Sequence, residues 1–213
     1  MKTGFAGAAI GGGSLTNFTE FNRCRPEPSS CDFITYGNTA IVHAADDLSV
    51  IETLEALSHI FASASALAGG KPQHLGLFSI GMRSNPYGET WAANPRLERV
   101  PMALNDPRQT ECFAAAYAIG VLAAAAEASI ASIALAMVDG PLGAGSTPLG
   151  RLIAGVSRLA GQKAKVTRHN GMIRIETGIG GASADFSAFG GGKISVPSAD
   201  ERHVHVECWG DAA

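Results

Sequence analysis

The stretch from Asp32 to Leu67 constrains this chain more than any other: a short apolar run, a polar turn with His43, Asp46 and Asp47, then Leu48, Ile51, Leu54, Leu57, Phe61 and Ala64. Apolar residues three and four apart make one stripe along a helix, so the segment predicts a strand feeding an amphipathic helix. Ser49 followed by Glu52 fits a capping box, in which each side chain satisfies a backbone donor that the first turn leaves unpaired. Asp46 or Asp47 is the competing cap, because Asp caps about as well as Ser. In α/β folds the loop leaving the carboxyl end of a strand is where ligands sit, so a histidine and two carboxylates there form a candidate site. The competing reading gives His43 a purely structural hydrogen bond.

The alternation of strand and helix extends on both sides of that unit. Residues 4–10 are small and apolar enough for a packed strand, ended by Gly11, Gly12 and Gly13. The triple glycine has neither the phosphate-loop spacing nor the dinucleotide fingerprint. In residues 17–23, Glu20 is either a carboxylate near a strand end or a surface residue paired with Arg23, with Asn22 beside it. Gly69 and Gly70 stop the long helix, and residues 75–82 read as a buried strand. The Pro-containing segment that follows is long enough for a lid or binding loop, with Arg83, Asn85, Tyr87 and Trp91 suited to grip a polar substrate. Asp106, Pro107 and Gln109 then fit N-cap, N1 and N3 of a helix reaching residue 128, and Arg108 at its mouth is placed to hold an anion or carbonyl. Residues 130–138 form a continuous apolar strand closed by Asp139, and Thr147 and Pro148 open a third helix ending at Gly161.

The pattern then changes. Asn170-Gly171 between alternating runs over 165–177 is the strongest short hairpin signal a sequence offers. Further strand is expected at 194–196 and 203–208, with the glycines of 178–192 as loop. His203, His205 and Glu207 would share one strand face, a metal-like spacing that more often marks a solvated sheet face. The expectation is an α/β chain with β/α units over 1–161 and a small antiparallel β appendage over 162–213.

Charge and cysteine content exclude several classes. Sixteen basic and 19 acidic residues give a formal net charge of -3. No basic run stands out, which argues against a nucleic-acid partner. The longest apolar segment, 113–128, contains Glu127 and reads as a buried helix, so no membrane partner is expected. The glycine-broken N-terminus is a weak signal peptide, and a cytoplasmic address is the default expectation. Cys24, Cys31, Cys112 and Cys208 form no C-x-x-C pair, so neither a zinc site nor a disulfide framework is expected. No metal or cofactor is called for, and the expected partner is a small molecule.

The ordered set GGGSLTNFTEFNR, IVHAADDLSVIETLEAL, SIGMRSNPYG and NDPRQTECFAAAYAIGVLAAAAEA, with the strand ending in Asp139, resembles the C-terminal half of the D-apionate lactonase family. These are glycoside-hydrolase-like TIM barrels of sugar-acid catabolism. The likeness covers residues 5–161, and VHAADD together with DPRQ is its most specific part. It implies a partial TIM-type β/α barrel with about four parallel strands, standing for the fifth to eighth, and a site at their carboxyl ends. Those ends carry Glu20, His43, Asp46, Arg83, Asn85 and Asp139. Glu20, His43, Asp46 and Asp139 are therefore the catalytic candidates, and Asn22, Arg83, Asn85, Tyr87 and Arg108 the substrate-binding ones, for a small carbohydrate or sugar-acid substrate and no cofactor. Two departures stand out: Asp139 where relatives are expected to carry Glu, and the absence of the first four βα units. Four parallel strands leave two unpaired edges, so the expectation is a truncated product, a homo-oligomer, or pairing with a separate N-terminal half-barrel chain.

Three functions follow. The first is hydrolysis of a sugar-acid lactone by activated water. The second is glycoside hydrolysis by Glu20 and Asp139, which needs carboxylates about 5–5.5 Å or 6.5–9.5 Å apart. The third is a non-catalytic half barrel.

Overall fold

The computed structural model describes residues 6–187 and 203–207. Strands β1 (Gly11–Asn17), β2 (Phe33–Thr39), β3 (His74–Ser79) and β4 (Ser132–Ala134) form one sheet in sequence order. Every neighbouring pair is parallel. Helices α1 (Phe18–Arg23), α2 (Asp47–Leu67), α3 (Cys112–Glu127) and α4 (Pro148–Ser157) follow these strands one by one. Consecutive parallel strands, each followed by a helix, trace an arc of a TIM-type barrel, and all four carboxyl ends lie on one edge. The expected partial β/α barrel is therefore the fold.

Aromatic contacts bind the first two units into a core. Tyr36 of β2 stacks on Phe21 of α1 with centroids 5.3 Å apart, and Phe78 of β3 meets Phe61 of α2 at 5.8 Å. Val50, Leu57, Phe61 and Ala64 form the buried stripe of α2. Leu48, expected on that stripe, is 55% exposed. Asp47 and Val50 of the same turn are buried instead. Gly69 and Gly70 follow with φ of +59° and +80°, the left-handed stop that the sequence signalled.

Two strands depart from expectation. β1 begins at Gly11, not within residues 6–10, and takes in the triple glycine; residues 4 and 5 of the expected strand lie outside the described residues. A Cβ at Gly13 would lie 2.0 Å from the Thr35 carbonyl oxygen, and one at Gly11 would lie 2.5 Å from the Phe33 ring. Glycine here permits close approach to β2 rather than ending a strand. β4 spans three residues instead of nine, and beyond it Met137 and Val138 are exposed, Val138 at 92%. Among the described residues its outer edge has no strand to pair with, and a short edge strand is the usual outcome.

The C-terminal part forms a second sheet: β5 (Ala164–His169), β6 (Met172–Thr177), β7 (Gly180–Asp185) and β8 (His203–Glu207). Asn170 and Gly171 turn the β5–β6 hairpin with φ of +48° and +78°, as the Asn-Gly signal requires. β7 lies where a glycine loop was expected, since Gly181 lets the backbone run against Ile175 and Ala182 and Ala184 fill the buried face. The appendage is mixed rather than antiparallel, because β8 runs parallel to β7. The strand expected at 194–196 and Cys208 lie outside the described residues. One continuous core joins both sheets through the alanines of α3.

An ion cluster fixes the loops at the carboxyl edge. The helix expected from Asp106 is two elements, a short 3-10 turn at Pro107–Thr110 and then α3, with Asp106 capping the turn. Arg108, only 1% exposed, donates to both oxygens of Asp106 at 2.9 and 2.7 Å and to Asp47 at 2.8 Å. Arg99 adds a second cation 3.3 Å from Asp47, and Gln109 accepts the Ile80 N–H at 3.3 Å. Burial alone would lower the Arg108 pKa; the Asp106 and Asp47 carboxylates more than reverse that and leave it raised. Arg108→Met takes the guanidinium from Asp106 and leaves Asp47 with Arg99 alone, and removing one partner of a buried pair costs about 3–5 kcal/mol. Urea unfolding of that variant is expected to show a loss in this range, with Arg108→Lys also destabilised because an ammonium cannot fork between two carboxylates.

Candidate functional site

β1 delivers the first polar group to the edge. Its last residue, Asn17, forms a capping box with Glu20 in the first turn of α1. The Glu20 Oε2 accepts the Asn17 N–H at 3.2 Å and the Thr16 hydroxyl at 3.3 Å. Those bonds use one oxygen of Glu20 and leave the other, Oε1, buried without a hydrogen-bond partner. Its nearest cation is Arg23 at 4.0 Å, a longer reach than a hydrogen bond. Asn17 is 8% exposed, and its Nδ2 is likewise buried without a partner. Buried polar atoms are almost always satisfied, so an unpaired donor and an unpaired acceptor one turn apart single out this turn as the candidate site.

Arg83, from the loop after β3, closes this corner by donating to the Leu15 carbonyl at 3.5 Å. With Thr16, Asn17, Thr39 and Ser84 it lines a small cleft at the carboxyl ends of β1, β2 and β3. A larger cleft, about 370 Å3, lies between α2, α3 and the β5–β6 hairpin, walled by Ile51, Leu54, Met172 and Phe186. It holds none of the unpaired buried polar atoms, and chemistry rather than size favours the strand-end cleft.

The other nominated residues divide by what already occupies them. His43 and Asp46 are exposed in the loop after β2. Asp46 is the N-cap of α2, accepting the Ser49 N–H at 2.9 Å and the Ser49 hydroxyl at 2.6 Å, so the capping box expected of Ser49 and Glu52 does not start this helix. Asn85 braces its own loop through the Thr90 carbonyl at 2.7 Å and the Tyr87 N–H at 2.9 Å, while Tyr87 and Trp91 present exposed rings. Asn22 is exposed on α1 and accepts from Arg25 at 2.9 Å. Asp139 is exposed in the tight loop after β4, where Met137 and Leu142 are joined through backbone bonds. Arg108, expected to hold substrate, is sealed inside the ion cluster and has its donors committed to Asp106 and Asp47.

Sequence reasoning passed over Asn17. Its signal was present as N-x-x-E, a capping-box spacing immediately after a strand. At the far end, His205 Nδ1 lies 2.7 Å from the Ser183 hydroxyl in a hydrogen bond across the sheet. No cluster of three metal-binding side chains occurs among the described residues. No helix among them is long and apolar enough to cross a membrane. Cys24, Cys31 and Cys112 are free thiols.

A family model described as the D-apionate lactonase TIM barrel domain matches residues 1–161, the stretch containing the parallel arc and this cleft. The chain belongs to that family. A D-apionate lactonase of Brucella anthropi is 42% identical over 176 residues, which cover 76% of this chain and 28% of that protein. The chain thus spans less than a third of this relative's length. No solved structure matches it.

Asp46 offers a direct test of its capping role. Hydrogen bonds from the Ser49 hydroxyl and N–H hold its carboxyl below the usual value. A depressed folded-state value contributes stability above the unfolded value of about 3.9, and that contribution is lost as pH falls through the folded one. Asp46→Ala is expected to lose about 1 kcal/mol at pH 7, the usual worth of a cap. Urea titrations at pH 7 and pH 3 are expected to show that deficit shrinking on acidification, whereas Asp46→Asn stays close to wild type at both.

Proposed function

We propose that this chain carries part of the active site of a hydrolase acting on the lactone of a sugar acid, the lactone of D-apionate being the first substrate to test. The observation that carries the reading is the buried, unpaired Oε1 of Glu20 at the carboxyl end of β1. The name of the Brucella anthropi relative supports the reaction class.

In this reading Glu20 Oε1 accepts a hydrogen bond from the attacking water. The water oxygen adds to the lactone carbonyl carbon as Glu20 takes its proton, and the carbonyl electron pair moves onto oxygen. The guanidinium of Arg83, exposed beside the cleft, stabilises that oxyanion. Collapse re-forms the carbonyl and breaks the ring C–O bond, and Glu20 returns the proton to the departing ring oxygen. The product is the open hydroxy acid, and the carboxylate is regenerated.

Hydrolysis of the D-apionate lactone by the full chain, followed by proton release at constant pH, tests the assignment. Glu20→Gln keeps the size and the cap acceptor but cannot take a proton. Its rate is expected to fall about 10²–10⁴-fold, the usual contribution of a general base. A variant as fast as wild type would sink the role of Glu20.

A further inference from the structure

The capping box leaves two atoms free, and lactone hydrolysis needs only one of them. Glu20 Oε1 has a task in the reaction; Asn17 Nδ2 has none. Yet Asn17 is more deeply buried than Glu20: 8% of the residue is exposed, against 20% of the Glu20 side chain. Asn17 is the N-cap of α1, and its NH2 group is buried without a hydrogen-bond partner. That group belongs to a cleft also bordered by Thr39, Arg83 and Ser84, which bring hydroxyls and a cation from the ends of β2 and β3.

We propose that Asn17 is a specificity-determining residue, its Nδ2 donating to a ring hydroxyl on the carbon next to the lactone carbonyl and so selecting hydroxylated lactones over bare ones. This rests on the lactone reading and adds the feature of the substrate being read. A hydroxyl oxygen accepts the Asn17 hydrogen bond, and its own proton can go to Thr39 or Ser84. A lactone without the hydroxyl leaves a desolvated donor unpaired, and sites built to bond a substrate hydroxyl reject analogues that lack it.

The test compares erythrono-1,4-lactone with γ-butyrolactone, the same ring without hydroxyls, by saturation-transfer NMR titration of the full chain. Wild type is expected to bind the hydroxylated ring at least tenfold more tightly. Asn17→Ser keeps a cap oxygen, since Ser is as good an N-cap as Asn, and removes the NH2 group. It is expected to bind both rings alike, with an unchanged melting temperature. Asn17→Asp, which retains the cap and puts an acceptor where the donor was, is expected to lose the preference too. Equal binding of the two rings by wild type, absence of binding to either, or a preference retained in both variants overturns the assignment. Binding is read without turnover, so the two readings separate. A preference without hydrolysis leaves Asn17 standing and removes the hydrolase, while hydrolysis without a preference does the reverse.

Discussion

The arrangement of the carboxyl edge depends on one buried guanidinium. Arg108 ties Asp47, at the start of α2, to Asp106, at the start of the 3-10 turn before α3, and so joins the loops after β2 and β3, with Arg99 as a second cation on Asp47. It also lies over the Phe113 ring, 5.1 Å from the centroid, in the first turn of α3. A buried ion cluster of this kind is weak evidence for net stability, because desolvation offsets much of the attraction. What it does supply is geometry. A planar fork satisfied at three points allows one relative position of the two loops, and the cleft beside them inherits it. The letters that make the sequence most recognisable, VHAADD and DPRQ, are therefore largely those of a joint, with the candidate chemistry in the less conspicuous NFTE.

A second constraint acts through α3. Its alanines let the first sheet, α2 and the second sheet approach one helix, and a Cβ at Gly120 would come within 2.4 Å of Leu54. Tyr117 is wedged into the same contact. Its hydroxyl lies 3.2 Å from the Thr53 hydroxyl, and burial pushes its pKa up to about 12. A helix buried all round has no solvent face to reveal by periodicity. Composition rather than pattern is what announces such an element.

That distinction explains what the sequence disclosed. Long periodic segments and special turns were legible: α2 from its stripe and its double-glycine stop, the β5–β6 hairpin from Asn170-Gly171, and α4 from Thr147-Pro148. Each is decided by local sterics and local hydrogen bonds. The failures lie where distant partners decide. Gly11 to Gly13 read as a break because glycine weakens an isolated strand, yet against Thr35 and Phe33 only glycine fits. Arg108 read as an open cation, because nothing in DPRQ says that Asp47, 61 residues away, will be waiting for it. Among site residues the edge itself was foreseeable, since Glu20, His43, Arg83 and Asp139 each follow a predicted strand. Which of them keeps an unpaired atom was not, because that depends on the local bonding of each carboxylate.

The two classes of residue at the edge consequently differ in what they need from the rest of a barrel. The outer edges of β1 and β4 have no strand neighbour among the described residues, and Leu15 on β1 is 72% exposed. A TIM barrel closes with eight strands, and this arc supplies four. Glu20 Oε1 and Asn17 Nδ2 are nevertheless buried already. Their desolvation is thus a property of one corner of the arc and does not wait for the ring to close. His43 and Asp139 are exposed, and their environment is the part of the edge that further strands would change most. The unpaired atoms are thus confined to the corner built by NFTE, while the flank beyond β4 stays open among the described residues.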